Sequence, residues 1–195
     1  VMNRRGFERA LAVETNRAKR NGTQNFALLI DCDDFKGINE KYGHSVGDIV
    51  LQELSSRLQI AVRPTDQVAR IGGDEFLILL SEVNQSTAFQ IAERVRLAVA
   101  ETPINLSTGT TKITTSTGVT QLSSELLSIE EILASANAGL KSSKQAGKNT
   151  VSFSQISHEK NELTQILEEL RSGVSLRTVY QPISQLHNQH VVAYE

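Results

Sequence analysis

The spacing of apolar residues changes along the chain between a helical period and runs of strand length, and these changes mark the predicted elements. Apolar positions three and four residues apart predict helices over residues 3–20, 35–43, 45–62, 85–100 and 128–147. Apolar or β-branched runs predict strands over residues 25–31, 68–80, 112–120 and 151–153. This mixed order indicates an α/β domain over residues 1–154, then a helical linker over 155–175 and two short strands within 176–195.

Local signals add detail to three of these elements. Ser45 is predicted to cap the helix whose apolar stripe includes Ile49. Ser128 and Glu131 have the spacing of a capping box. Gly118 interrupts a β-branched strand and predicts a close approach by another element.

One apolar run is interrupted by two glycines, with two acids directly after them. We expect a β-hairpin here, because Gly72 and Gly73 can adopt positive φ without a Cβ clash. Asp74 and Glu75 follow the turn, where neighbouring carboxylates repel and burial disfavours both charges. The residues leave two interpretations open: a turn with two solvated acids, or a site where a bound cation removes this cost.

A second acidic cluster follows the predicted strand over residues 25–31. The strand runs directly into Asp31, Asp33 and Asp34. If it lies beside the hairpin in one sheet, Asp31 and Asp74 converge. Carboxylates without His or Cys at metal-ligand spacing suit Mg²⁺ or Mn²⁺ bound together with a phosphate substrate.

Composition restricts the classes of partner and compartment. A net charge of −2 and a pI of about 6.1 give no bulk attraction to nucleic acid, which we do not expect as a partner. Cys32 is the only cysteine, which excludes an internal disulfide and fits a reducing, cytoplasmic compartment. Because the chain opens at Val1 and stops after Glu195, we expect a piece of a longer protein whose other parts could include a sensor or a membrane anchor.

Two motifs at the right spacing resemble those of GGDEF domains. They are Arg70-Ile-Gly-Gly-Asp-Glu-Phe76 and the segment from Asp31 to Asp48. Tyr180-Gln-Pro-Ile183, with Glu195, resembles the first strands of an EAL phosphodiesterase domain. The resemblance therefore implies a GGDEF domain cut from a GGDEF–EAL protein.

The GGDEF resemblance implies both a fold and a reaction. The fold is an α+β, palm-like one related to nucleotide cyclases and polymerases, with a ferredoxin-like antiparallel sheet flanked by helices and the hairpin at Gly72 and Gly73 in the active site. The reaction condenses two GTP molecules into cyclic di-GMP and two pyrophosphates across a homodimer. It uses two Mg²⁺ (or Mn²⁺) ions per active site.

By this resemblance the acidic clusters become a metal site. Asp31 and Asp74 are the carboxylate ligands, and the Cys32 carbonyl oxygen is a backbone ligand. Asp74 is also the group that activates the attacking 3′-OH, with Glu75 assisting at the same edge.

The resemblance also assigns substrate contacts. Asn39 and Asp48 read the guanine N–H groups, which adenine cannot reproduce. His44 borders the nucleotide. Backbone N–H groups of Asp34 and Phe35 hold the terminal phosphates.

Lys144 and Lys148 stand at the positions of the family's basic phosphate-binding pair. From the residues alone, two solvated lysines near the end of a helix are an equally good interpretation. The sequence departs from the family here: Arg is usual at Lys148, Asp at Asn137 and Tyr at Lys141. Lysine keeps the charge but lacks the bidentate fork of arginine, so weaker triphosphate binding is expected.

Arg63 and Asp66 have the spacing of the family's inhibitory RxxD site, which binds the product cyclic di-GMP. The residues alone favour a loop salt bridge. Two functions follow: an active, product-inhibited diguanylate cyclase, or a catalytically weak domain that binds GTP or cyclic di-GMP and regulates an adjoining EAL phosphodiesterase. His44 and Ser45 are not a hydrolytic pair, since no nucleophile motif surrounds Ser45.

Overall fold

The computed structural model of the protein describes residues 1–106, 109–122 and 128–154, and the backbone of residues 182–184 and 191–194. The chain divides into two compact units, Val1–Gln155 and Ile156–Glu195. In the described part of the first unit the helices are α1 (Arg4–Asn21), α2 (Phe35–Tyr42), α3 (His44–Ala61), α4 (Gln85–Ala100) and α5 (Ile129–Gln145). Its strands are β1 (Asn25–Cys32), β2 (Gln67–Arg70), β3 (Glu75–Leu80), β4 (Ile104–Leu106), β5 (Gly109–Thr111), β6 (Thr115–Leu122) and β7 (Val151–Phe153).

The second unit contains β8 (Pro182–Ser184) and β9 (Val191–Tyr194), which pair antiparallel. This agrees with the two strands predicted near the end of the chain. The predicted linker helix lies outside the described residues. Across the described residues, no helix combines the length and apolar character that crossing a bilayer requires.

β1 is the central strand of the main sheet, whose order is β2-β3-β1-β6-β7. β3 and β6 both run antiparallel to β1, β2 runs antiparallel to β3, and β7 joins parallel to β6. The apolar run of β1 is buried on both faces, which explains why it lacks the alternation of a half-exposed strand. The expected α+β sheet flanked by helices is confirmed.

The sheet separates two hydrophobic clusters, and the alternation of β1 side chains divides its residues between them. On one face, Leu28 and Ile30 pack with the buried sides of α3 and α4, including Leu54, Val95 and Ile91. The other cluster lies under α1 and α5 and includes the following residues: Phe7, Leu11, Ala27, Leu29, Leu77, Leu79, Ile132, Ala136 and Leu140. Both faces of the sheet are therefore covered by helices.

The close approach predicted at Gly118 is confirmed. A Cβ at Gly118 would lie 2.1 Å from the Ala136 carbonyl oxygen and 2.4 Å from the Leu140 nitrogen. Gly139 of α5 is similarly tight, since a Cβ there would lie 2.6 Å from the Ser152 carbonyl oxygen. The backbone of α5 therefore rests directly on β6 and β7, and this contact fixes where the end of α5 meets the end of β1.

Several predicted helix ends are confirmed. The Asn3 side chain caps α1, and Gly22 ends it in the left-handed region with φ 64°. Ser128 and Glu131 form the reciprocal bonds of a capping box at the start of α5. Gly43 ends α2.

The prediction that Ser45 caps α3 is wrong. Gly43, with φ 86° and ψ 160°, serves both as the last cap of α2 and the first of α3, and the helix begins at His44. Ser45 therefore lies inside the first turn. Ile49 was expected on the apolar stripe of α3 but is 45% exposed. The buried side of the helix instead contains Val50, Leu54 and Leu58, which are four residues apart.

The β4–β5 hairpin is absent from the sequence-based prediction, which also began the next strand too early. Each of its strands has three residues, too few for a hydrophobic pattern, and the pairing joins Ile104 to Thr111. Residues 112–114 form a connection rather than the start of β6. Within this connection, Thr114 Oγ1 donates to Asp33 Oδ2 at 2.7 Å.

Candidate active site

The end of β1 and the β2–β3 turn meet at one edge of the sheet. Asp31 pairs directly with Glu75 in the antiparallel register of β1 and β3. The Cys32 N–H donates to the Asp74 carbonyl oxygen over 3.3 Å, so the ladder continues to the tip of the hairpin. The structure thus brings together the two acidic clusters whose convergence was expected.

The turn itself differs from the expectation of positive φ at its glycines. Neither Gly72 nor Gly73 adopts positive φ. A Cβ at Gly72 would lie 2.8 Å from Glu75 Oε2, so a larger residue there would require the Glu75 carboxylate to shift. Arg70 fixes the tip by donating from Nε and Nη2 to the Gly73 carbonyl oxygen at 3.0 and 2.6 Å.

Asp31 is half-buried and lies between charges of both signs. Its Oδ1 forms an ion pair with Lys144 Nζ at 2.9 Å. Burial raises the pKa of the Asp31 carboxyl; Lys144 opposes this, and the carboxylates of Asp74 and Asp33 add to it. The site therefore carries a concentration of negative charge that Lys144 only partly balances.

The Cys32 side chain belongs to the hydrophobic core. It is 1% exposed, and burial together with the surrounding carboxylates raises the pKa of the thiol to about 12. The thiol therefore stays protonated at neutral pH. Only the backbone carbonyl of Cys32 remains as a possible metal ligand, as expected.

The residues at this edge fit a hard divalent cation. The described residues contain no group of three metal-binding side chains. The expected set needs only two, since its third protein ligand is the Cys32 carbonyl. Oxygen donors and a desolvated carboxylate of raised pKa are the surroundings that Mg²⁺ or Mn²⁺ would stabilise.

A cavity of about 410 Å³ opens beside the hairpin tip. It is lined by Phe35, Lys36, Asn39, Glu40, His44 and Asp74. The Asn39 side-chain oxygen is buried against Gly47, where a Cβ would come within 2.0 Å of it. This oxygen has no hydrogen-bond partner among the described residues, although Asn39 itself lines the cavity.

His44 and Asp48, which were expected to contact or border the guanine nucleotide, are both exposed. His44 is the first residue of α3 and lines the cavity. Asp48 lies in the next turn of α3, adjacent in sequence to Gly47, but does not line the cavity. The structure therefore places His44 with Asn39 at the cavity and does not bring Asp48 to its wall.

The start of α2 lies at the same edge as the carboxylates. Asp34 precedes the helix with φ 56°, and no side chain caps the first turn. The first N–H groups of α2, including that of Phe35, therefore lack a side-chain partner. Asp34 Oδ1 instead accepts a hydrogen bond from Lys148 Nζ, and this bond raises the pKa of Lys148.

The departures from the family at Asn137 and Lys141 lie together on α5. With Lys144 and Glu75 they line a second cavity of about 370 Å³ on the opposite side of the hairpin. Both side chains are exposed, and the packing of α5 depends on Gly139 and Leu140 instead. The departures therefore change a cavity wall and leave the α5 packing unaffected.

Arg63 and Asp66 close a tight loop before β2 and line a cavity of about 290 Å³. The Arg63 N–H donates to Asp66 Oδ2 at 2.9 Å, and the Asp66 N–H donates to the Arg63 carbonyl oxygen at 2.9 Å. The loop salt bridge between their side chains does not form among the described contacts. Arg63 is exposed, and its guanidinium remains available to a ligand.

Sequence reasoning missed residues that reach these sites from distant segments. Burial raises the pKa of Asp66, and the charge of Arg94 from α4 opposes this. Arg94 Nε also donates to the Ala61 carbonyl oxygen at 2.8 Å. Lys36, which lies within the motif from Asp31 to Asp48, also lines the first cavity and was not singled out from the sequence. No spacing in the sequence links Arg94 to Asp66, since α4 and the loop are brought together only by the fold.

Comparison with known proteins agrees with this architecture. Residues 1–150 match the family model described as "Diguanylate cyclase, GGDEF domain". The chain is 40% identical over 127 residues to diguanylate cyclase A of Treponema denticola, covering 65% of this chain and 34% of that protein. The chain spans about a third of the length of the curated relatives it matches.

Solved structures give the same result. The GGDEF domain of YfiN (TpbB) from Pseudomonas aeruginosa is 30% identical, with a TM-score of 0.75, and the match covers 80% of this chain and 98% of that one. The GGDEF domain of DgcB from Caulobacter crescentus, solved in complex with c-di-GMP, is 28% identical, with a TM-score of 0.72 and coverage of 78% and 88%. A palm-like sheet with acids at its hairpin edge defines a nucleotide-cyclase class of domain. Within that class, the chain belongs to the diguanylate cyclase GGDEF domain family.

Proposed function

We propose that this domain is a diguanylate cyclase that condenses two GTP molecules into cyclic di-GMP and two pyrophosphates. One observation carries the proposal: the register of β1 and β3 pairs Asp31 with Glu75 at the hairpin tip, beside a cavity lined by Asn39, His44 and Asp74. A carboxylate edge next to a base-sized cavity suits a nucleoside triphosphate with bound metal.

The metal ligands are Asp31, Asp74 and the Cys32 carbonyl, and the metal is Mg²⁺ or Mn²⁺ with two ions per site. When bound, the ions neutralise charge on the phosphates and lower the pKa of the attacking hydroxyl. Asp74 accepts the proton of the 3′-OH, and Glu75 assists at the same edge. Asp31 would hold the metal in place of its ion pair with Lys144, and Lys144 would then be available to a phosphate.

The proposed nucleotide contacts fall into two groups, one for the guanine base and one for the phosphates. When the Asn39 side chain turns away from Gly47, its oxygen accepts from a guanine N–H, and Asp48 accepts from a second N–H. His44 borders the base. Backbone N–H groups of Asp34 and Phe35, with Lys144 and Lys148, hold the terminal phosphates.

Catalysis requires a homodimer, because each 3′-OH attacks the α-phosphate of the GTP held by the other subunit and displaces pyrophosphate. The bond formed is between the 3′ oxygen and the α-phosphorus, and the bond broken joins that phosphorus to the bridging oxygen. Cyclic di-GMP then binds at Arg63 and Asp66 and inhibits the enzyme. Support for this site comes from the exposed Arg63 side chain and from the cavity that Arg63 and Asp66 line together.

A second candidate function is a weakly active domain that binds GTP or cyclic di-GMP and regulates an adjoining EAL phosphodiesterase. The observation that favours it is the engagement of both phosphate-binding lysines by carboxylates, Lys144 by Asp31 and Lys148 by Asp34. A triphosphate must compete with both pairs. The regulated EAL domain would begin within residues 176–195, whose motif resembles its first strands, in a cytoplasmic parent protein.

The test is the substitution Asp74→Asn, which removes a charge without changing shape. We expect cyclic di-GMP synthesis to be abolished while the thermal unfolding temperature stays close to that of the parent. Glu101→Gln is the control, since it removes a carboxylate from the exposed end of α4. Full synthesis by Asp74→Asn would exclude the metal assignment.

A further inference from the structure

The loop between α5 and β7 holds two consecutive non-glycine residues in the left-handed region. Lys148 has φ 65° and Asn149 has φ 47°. Each such residue costs free energy and persists only where its surroundings hold it in place. The side chain of Lys148 leaves this turn towards Asp34, at the start of α2.

Asp33 holds the turn from the side of the sheet. It is 6% exposed, and its Oδ2 accepts from the Asn149 backbone N–H at 3.0 Å. Thr114 Oγ1 donates to the same oxygen at 2.7 Å, and Ser116 Oγ donates to Oδ1 at 2.7 Å. The buried carboxylate therefore ties the end of β1, the start of β6 and the left-handed turn into one network.

Arg96 holds the turn from the opposite side. Its Nη1 donates to Asn149 Oδ1 at 3.1 Å, while its Nε and Nη2 donate to Glu93 Oε2 at 3.0 and 2.8 Å. Both hydrogen-bonding groups of Asn149 that face the protein are thus engaged, the backbone by Asp33 and the side chain by Arg96. Neither Asp33 nor Arg96 lines the cavities at the hairpin.

We propose that Asp33 and Arg96 are positioning residues that hold the Lys148–Asn149 turn so that the Lys148 ammonium lies at the phosphate end of the nucleotide site. This rests on the proposed function, because Lys148 matters only if a triphosphate binds there. Asp33 contacts no substrate and acts through the Asn149 N–H. Its role therefore depends on its accepting oxygen and is separate from its charge.

The first experiment compares Asp33→Ala with Asp33→Asn, since both remove the same negative charge. Asparagine keeps an oxygen that accepts from the Asn149 N–H, while Ser116 can rotate its hydroxyl to accept from the new NH₂. Calorimetry with guanosine 5′-(α,β-methylene)triphosphate and Mg²⁺ measures binding without turnover. We expect the Ala variant to bind this analogue about fivefold to tenfold more weakly than the Asn variant.

Guanosine monophosphate is the matched ligand, because it lacks the phosphates that Lys148 reaches. We expect the two variants to bind it within about twofold of each other. Equal affinity of the Ala and Asn variants for the triphosphate analogue would overturn the proposal. So would a loss in the Ala variant of the same size for both ligands, which is what general damage to the fold produces.

A double-mutant cycle tests whether Asp33 acts through Lys148. In a Lys148→Ala background, we expect Asp33→Ala and Asp33→Asn to bind the analogue equally, because the group being positioned is gone. The Lys144→Ala background is the control, and there the fivefold to tenfold difference should persist. A difference that survives in the Lys148→Ala background would overturn the proposal.

Arg96→Ala keeps the test usable if Asp33→Ala does not fold, since Arg96 is nearer the surface. We expect Arg96→Ala to weaken binding of the triphosphate analogue about threefold to fivefold and binding of guanosine monophosphate by less than twofold. Glu93→Gln is its control, because Arg96 keeps its bond to Asn149, and we expect unchanged binding. Failure of the unsubstituted chain to bind the analogue would remove the nucleotide site and both proposals, whereas normal binding with no effect of these variants would remove only the positioning role.

Discussion

The substitution Gly118→Ala tests whether the packing of α5 against β6 fixes the position of Lys144 in the site. The new Cβ would lie 2.1 Å from the Ala136 carbonyl oxygen, whereas real Cβ contacts essentially never fall below 3.0 Å. The helix α5 must therefore retreat by about 0.9 Å, the difference between the two distances. Backbone atoms on both sides leave no flexible side chain to absorb this movement.

Overpacking of this kind costs about 3 kcal/mol, at the upper part of the usual range. For a domain of this size the loss corresponds to a fall in Tm of roughly 6–12 °C. Lys144 lies about one turn beyond Leu140, so the same movement stretches its 2.9 Å ion pair with Asp31.

The assay is urea unfolding followed by circular dichroism, with Gly37→Ala as the control. Gly37 lies in α2, is exposed and has open space where the alanine Cβ would stand, so alanine there should stabilise the domain by about 0.5–1 kcal/mol. A Gly118→Ala variant within about 1 kcal/mol of the parent would refute the account of α5 packing.

The remaining predictions concern charge. Because burial places the folded-state pKa of Asp66 above its ordinary value of 3.8, ionising this group costs stability as pH rises through that folded pKa. Asp66→Asn should therefore gain stability relative to the parent as the pH rises above the ordinary pKa of 3.8 in urea unfolding, and a difference that stays constant with pH would contradict this. Arg63→Ala should relieve inhibition by added cyclic di-GMP without raising the initial rate, and undiminished inhibition would remove the RxxD assignment. Asp34→Asn should lower the KM for GTP by freeing Lys148, and a raised KM would mean that the Asp34 carboxylate assists binding.

Much of the fold could be predicted because its elements carry long, regular patterns. The buried run of β1 and the capping box of α5 each depend on residues close together in sequence, and both predictions are confirmed. The errors concern features with little local signal. Gly43 serves two helices at once, which moved the start of α3 away from Ser45.

The candidate site likewise has contacts that the sequence predicts and contacts that it does not. The meeting of Asp31 with the hairpin follows from two motifs and one assumption about strand order, which the register of β1 and β3 supports. The contacts made by Arg94 and Arg96 could not be predicted, because each joins segments that only the tertiary structure brings together. Asp33 was visible as one of three acids, but only its burial and hydrogen bonds separate it from Asp31 and Asp34.

The central claim is that the chain makes cyclic di-GMP from GTP. The most direct measurement is a time course of a concentrated sample with GTP and Mg²⁺, with nucleotides resolved by chromatography. The account predicts one cyclic di-GMP for every two pyrophosphates, a rate per chain that rises with protein concentration, and slowing as product accumulates. GTP that binds but stays unchanged at every protein concentration would contradict the cyclase assignment and leave the regulatory function in its place.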